Sequence, residues 1–197
     1  MPYSTKHKEA TRKQIVESAR VLFNRYGFEN VTIDMIMQHA GLTRGGFYNH
    51  FKNKQVLYSE AVTSFLTERG ARWRDEAGIN SAEPSAKDAR LMLLSYLSDE
   101  HLGDADGQCP MIALPSDVAR AGPEVQKAFE NLLSAMTWLF DQSLSNTNKE
   151  TENRRQTSLS LAALCVGGMV LARAIPESTL AKEIRDAALQ TSEELLL

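Results

Sequence analysis

Apolar residues recur along this chain at intervals of three and four, with no run of strict alternation, so the pattern predicts helices throughout. Residues 5–26 place Ile15, Ala19, Leu22, Phe23 and Tyr26 on one face, and Gly27 ends that run. Ile33, Ile36, Met37 and Ala40 line a second, short helix, entered at Thr32 with Asp34 in its first turn. Gly41 permits a left-handed turn residue, Leu42 tucks under it, and Thr43 caps a third helix, Arg44 to His50. Phe47 and Phe51, four apart, mark its inner side. One longer helix is predicted from about Asn53 to Glu76, with Val56, Leu57, Ala61, Phe65 and Leu66 in its seam, followed by a loop over 78–84.

A fifth helix, about Ser85 to Asp99, presents Leu91, Leu94, Tyr96 and Leu97. The acidic stretch DEHLGDADGQ reads as a loop, and Cys109-Pro110 opens a short helix that Pro115 disturbs about one turn later. Gly122-Pro123 begins a seventh helix to about Ser145, and SNTNKETEN is a polar loop. The last two helices run about Arg154 to Ala174 and Ser178 to Leu195, which makes an all-α chain of about nine helices.

The eighth helix is apolar nearly all round, so a partner beyond its own domain must cover one face. Leu164, Gly167, Gly168 and Leu171 on it, with Leu180, Ile184 and Ala188 on the ninth, are the candidates for a two-fold interface built as a four-helix bundle. The two glycines either permit close approach across that interface or pack within one subunit.

The residues left facing outward on the third helix are Thr43, Arg44, Gly45, Gly46, Tyr48, Asn49 and His50. Such a set suits a helix in a DNA major groove: Arg and Asn pair bidentately with guanine and adenine edges, and Thr, Tyr and His reach phosphates or single base atoms. An ordinary helical hairpin with a polar face has the same pattern. Charge sharpens the choice. The chain has a net charge of −3, yet residues 1–54 carry nine Lys and Arg against four acids, a basic head on an acidic body. Lys6, Lys8, Arg12 and Lys13 at the start of the first helix either reach phosphates or are simply solvated.

Over roughly residues 8 to 60 the sequence resembles the TetR family of bacterial transcriptional repressors. Thr32, Ala40-Gly41-Leu42, Phe47-Tyr48-Asn49-His50-Phe51 and Lys52-Asn53-Lys54 match its usual run. The resemblance implies an N-terminal three-helix helix-turn-helix DNA-binding domain, residues 1–54, and a C-terminal helical ligand-binding and dimerisation domain, residues 55–197. It implies that Thr32, Tyr48, His50 and Lys54 hold phosphates and that Thr43, Arg44, Gly45 and Asn49 face bases. The expected partners are a palindromic double-stranded DNA operator, a second copy of the chain and a small-molecule inducer of unknown identity.

Phe65, Tyr96, Cys109, Met111, Phe129, Met136, Trp138, Phe140, Cys165 and Met169 are candidates to line the inducer pocket, with core packing as the default for each. Cys109, at a helix N-cap, is either a thiolate that senses electrophiles or oxidants or a small buried residue, since Asp104 and Asp106 would raise its pKa. Some TetR-family repressors sense such compounds through a cysteine in this general region, which supports the first, but a structural or pocket-lining role is the default. No zinc spacing, complete calcium loop, phosphate-binding glycine loop or nucleophile elbow is present, so neither a metal, a cofactor nor catalysis is expected. No signal peptide is visible and the apolar stretch 159–175 falls short of a membrane span, so a cytoplasmic protein is expected. Two cysteines make no disulfide framework. A helical small-molecule or metal-binding module with an incidental basic head is the alternative.

Overall fold

Gly27 sets the first change of direction: in the computed structural model, which describes residues 5–145 and 151–196, it sits at φ 75° inside α1, Thr5–Asn30, and kinks it. Only glycine enters that region cheaply, and the Phe28 N–H then donates to Asp117 at 3.0 Å. Thr32 caps α2, Ile33–His39, accepting from the Met35 N–H at 3.2 Å. Gly41, at φ 66°, makes the left-handed turn the sequence predicts. The third helix is a six-residue 3₁₀ turn, Arg44–Asn49, rather than an α-helix. Two consecutive glycines in so short a segment give the α form little support.

The long helix expected over 53–76 is two: α3, Lys54–Ser64, and α4, Arg69–Glu76. Between them the Gly70 N–H reaches back to the Phe65 carbonyl at 2.8 Å. A Cβ on Gly70 would stand 2.6 Å from that carbonyl oxygen and from the Phe65 ring, so the break is built on this glycine. Asn53 caps α3 by accepting from the Val56 N–H. α5, Ala86–Tyr96, begins with a capping box of Ser85 and Asp88.

The acidic stretch holds a short helix, α6, Asp99–Gly103, capped by Ser98. Pro110 and Pro115 each open a helix at N1, α7, Pro110–Ala113, and α8, Pro115–Arg120. α9, Pro123–Ser143, α10, Thr151–Ala174, and α11, Thr179–Leu196, complete the chain. Most of the predicted polar loop at 145–153 lies outside the described residues or inside α10. The described residues thus form eleven α-helical segments and one 3₁₀ helix, with no strand.

Buried side chains from Ile15 to Ala188 form one continuous core. α3 packs on α1 on one side and on α9 on the other, and α10 packs on α9 and α11. By length and composition α10 from Glu152 to Ala174 could cross a membrane. Its Leu161, Ala162, Cys165, Met169 and Ala172 are sealed within the fold instead.

Candidate nucleic-acid interface and ligand cavity

The head presents one polar face. Thr43, Arg44, Gly45, Tyr48 and Asn49 are exposed, Tyr48 at 61%, while Phe47 on the opposite side is fully buried. Phe47 packs edge-on to Tyr48 and tilted to Phe51, which fixes the direction of the 3₁₀ turn. Thr43 holds the N-cap position but makes no capping hydrogen bond, so its hydroxyl is not committed to the helix as that of Thr32 is. Gly46 rests against Met37, where an added Cβ would make an ordinary 3.6 Å contact, and Gly45 faces open space. Arg44 pairs with Asp34 at 2.8 Å, both side chains well exposed. Such pairs hold weakly, so the guanidinium can exchange its partner for a base edge.

Two of the expected phosphate contacts have structural duties as well. Lys54 donates to the carbonyls of Phe28 at 2.8 Å and Val31 at 2.9 Å and lies 4.1 Å above the Phe28 ring. Its three protons leave one for another acceptor. Burial lowers its pKa, partly countered by Glu29 and Asp117. His50 is half-buried, its Nδ1 has no partner, and its carbonyl accepts from Arg12. Burial first, then the positive charges of Lys8 and Arg12, lower its pKa and favour the neutral ring. Arg12 itself pairs with Glu60 and lies 4.0 Å over Phe51. It braces the end of the 3₁₀ turn against α1 and α3, where the sequence left it open whether it met phosphate or solvent.

After α6 the acidic stretch is a turn over 104–108, as the sequence predicts, and arginines clamp it onto the rest of the molecule. Arg69 pairs with Asp104 at 3.0 Å, Arg25 with Asp106, and the buried Arg20 donates to the Asp106 carbonyl. Gly107 lies so close to the Asp104 carboxylate that a Cβ there would overlap it. Asn24 of α1 donates to the Gln108 carbonyl at 2.8 Å, and Arg173 of α10 donates to the Asn24 carbonyl at 2.6 Å and to the Gln108 side chain. Head, acidic stretch and α10 are joined there by polar contacts the sequence pattern did not reveal.

A cavity of about 160 Å³ opens between α3, α4, α5, α7 and α9. Of the residues proposed for a pocket, Phe65, Tyr96, Cys109, Met111, Met136 and Trp138 line it. Phe140, Cys165 and Met169 are fully buried elsewhere in the core, and Phe129 packs on the core from a half-exposed position on α9. Trp73, Arg74 and His101 also line the cavity. Sequence pattern misses them because the break at Gly70 turns α4 onto a new face, and because His101 sits in what reads as a polar loop. The cap signal of Ser98 ahead of Asp99 and Glu100 marked that helix.

Cys109 stands at the N-cap of α7, as its sequence suggests, but it is 2% exposed. Burial pushes its thiol up to about 11 and that of Cys165 higher still, so neither is a thiolate at neutral pH. Burial outweighs the activation expected from the helix N-terminus, because α7 has only four residues.

The residues expected at a two-fold interface divide into two groups. Gly168 and Ala188 meet within the subunit: a Cβ on Gly168 would lie 3.1 Å from the Ala188 Cβ and 3.2 Å from Leu97. Leu171 and Leu180 are 56% and 49% exposed, Gly167 faces open space, and Leu164 and Ile184 are half-buried.

Residues 15–61 match the family described as "Bacterial regulatory proteins, tetR family". The HTH-type transcriptional repressor Rv1474c of Mycobacterium tuberculosis is 34% identical over 76 residues, 39% of this chain and 40% of that protein. The chain spans between about a quarter and two fifths of the length of the first curated relatives it matches. The fold extends further. The reduced form of Escherichia coli NemR superposes with a TM-score of 0.74 at 18% identity, over 94% of this chain and 96% of that one. SmeT in complex with triclosan superposes with a TM-score of 0.65 at 21% identity, over 93% and 90%. Residues 15–61 of this chain thus form a helix-turn-helix head of the tetR family of bacterial regulatory proteins, on a body that shares its fold with the solved neighbours.

Proposed function

We propose that this chain is a transcriptional repressor, not an enzyme, that binds a palindromic operator as a homodimer in the cytoplasm and is released by a small molecule. The observation that carries the reading is the outward face of the 3₁₀ turn, where Thr43, Arg44, Gly45 and Asn49 stand exposed beside an uncommitted threonine hydroxyl. Curated relatives over the head include transcriptional repressors. One head covers only a few base pairs, so a two-fold pair reads enough sequence to find an operator. The free apolar surface of α10 and α11 around Gly167, Leu171, Leu180 and Ile184 suits that pairing.

Release follows if a ligand favours a head spacing that the operator does not accept. About 1.4 kcal/mol of differential binding lowers operator affinity tenfold. The route runs through α4, which offers Trp73 and Arg74 to the cavity and is tied across the break to Leu66 by the Arg74 guanidinium at 2.8 Å. α3 carries the movement on to α1 and the head. The structural neighbour bound to triclosan accommodates a small molecule on the same fold.

Selection of sites from random duplex DNA, followed by affinities over a salt series, tests this function. Arg44→Ala is expected to cost about 1–3 kcal/mol at the selected site and to relax preference at one position per half-site. Lys52→Ala, at an exposed lysine just after the 3₁₀ turn, should weaken binding evenly across sequences and flatten its salt dependence. Identical profiles for the two variants would contradict the division between base and phosphate contacts.

A further inference from the structure

The cavity beneath α4 carries polar groups that its apolar walls do not explain. Its volume of about 160 Å³ is close to that of a cavity of roughly 150 Å³ that holds benzene, so an occupant is limited to one ring with few substituents. Its one charged lining residue is a cation, Arg74, and no Asp or Glu lines it among the described residues. Arg74 is partly buried and makes only neutral contacts, to Ser81 Oγ at 3.1 Å and the Leu66 carbonyl. A guanidinium keeps its charge in such a setting. The Tyr96 hydroxyl, on a residue 1% exposed, has no hydrogen-bond partner. The Cys109 thiol, a weak acceptor, is its polar neighbour.

His101 is not a further donor. Its Nδ1 lies 3.0 Å from the Tyr96 carbonyl and its Nε2 faces the Cys109 N–H at 3.4 Å, so the Nδ1–H donates and Nε2 accepts within the wall. What remains is a cation whose hydrogen bonds all go to neutral groups, with Asp75 acting on it only through space, and a hydroxyl with only a thiol beside it, in an apolar, ring-sized space. An apolar ligand would leave both unmatched, and a cationic one would meet the guanidinium.

We propose that the cavity takes a single-ring aromatic acid, its carboxylate received by the Arg74 guanidinium and the Tyr96 hydroxyl, its ring held among Phe65, Trp73 and Met136. This assignment names the ligand class of the cavity and rests on reading the cavity as the regulatory site. Benzoate, benzamide and benzamidine share a shape and differ in charge, so they separate charge recognition from ring burial.

Calorimetric titration of the full chain should show benzoate binding about tenfold or more tightly than benzamide, as a charge-assisted contact requires, with benzamidine undetected. Tyr96→Phe removes a hydroxyl whose polar neighbour is only the weakly accepting Cys109 thiol, so the fold should keep its melting temperature while benzoate weakens about tenfold. Arg74→Gln should erase the preference for benzoate over benzamide. If that variant fails to fold, the Tyr96→Phe titration decides alone. Equal binding of all three compounds, or binding of none by a wild type that still recognises its DNA site, would overturn the proposal. Operator affinity with and without benzoate is measured separately. Benzoate binding that leaves operator affinity unchanged supports the ligand class and contradicts the inducer reading.

Discussion

Single side chains here do more than one job, and titration exposes which job dominates. His101 is packed against Trp73 and Tyr96 with ring centroids 5.1 and 4.8 Å away, and burial lowers its pKa to about 4. The unfolded chain takes up at about pH 6.5 a proton that the native chain refuses until about pH 4. Its contribution is therefore complete above about pH 6.5 and is lost as the pH falls toward 4, by up to roughly 3 kcal/mol. Urea unfolding midpoints at pH 7 and pH 4.5 should differ more for wild type than for His101→Gln. Equal differences would show that the ring is solvated. Lys54 teaches the same lesson in the head, since its bonds to Phe28 and Val31 make it a brace for the end of α1 whatever it does to phosphate.

At the scale of elements, local signals were legible and tertiary ones were not. Thr32, Gly41, Asn53, the Ser85 box, Pro110 and Pro123 occupy the positions their chemistry dictates, because caps and left-handed turns depend on a few adjacent residues, whereas Pro115, read as disturbing a helix, opens α8. The break at 65–69 was not legible, because residues 53–76 keep an apolar seam at helical spacing and the clash that requires Gly70 lies between it and Phe65. The cavity inherited that error: Phe65 was recognised while Trp73 and Arg74 were not. Gly70→Ala should destabilise the chain by about 1–3 kcal/mol through overpacking against the Phe65 carbonyl and ring. A thermal melt checks this, and an unchanged melting temperature would mean that the break does not depend on the missing Cβ.

Across the whole molecule the basic head and acidic body form one continuous core rather than two beads on a linker. Asn24, Gln108 and Arg173 join α1 to α10, so a shift in the body reaches the head through packed and hydrogen-bonded contacts. The residues expected at a two-fold interface divide for a reason that spacing alone does not show. Gly168 and Gly167 are adjacent, yet one closes against Ala188 inside the subunit and the other faces outward. The most direct test of the account is the mass of the complex formed with a selected operator duplex, measured by sedimentation for wild type and Leu171→Glu. We expect two wild-type chains per duplex over half-sites set by the DNA repeat, and a Leu171→Glu chain that stays helical, sediments as a monomer and loses most operator affinity. A wild type that binds as a single chain, or that binds selected and random duplexes alike, would contradict it.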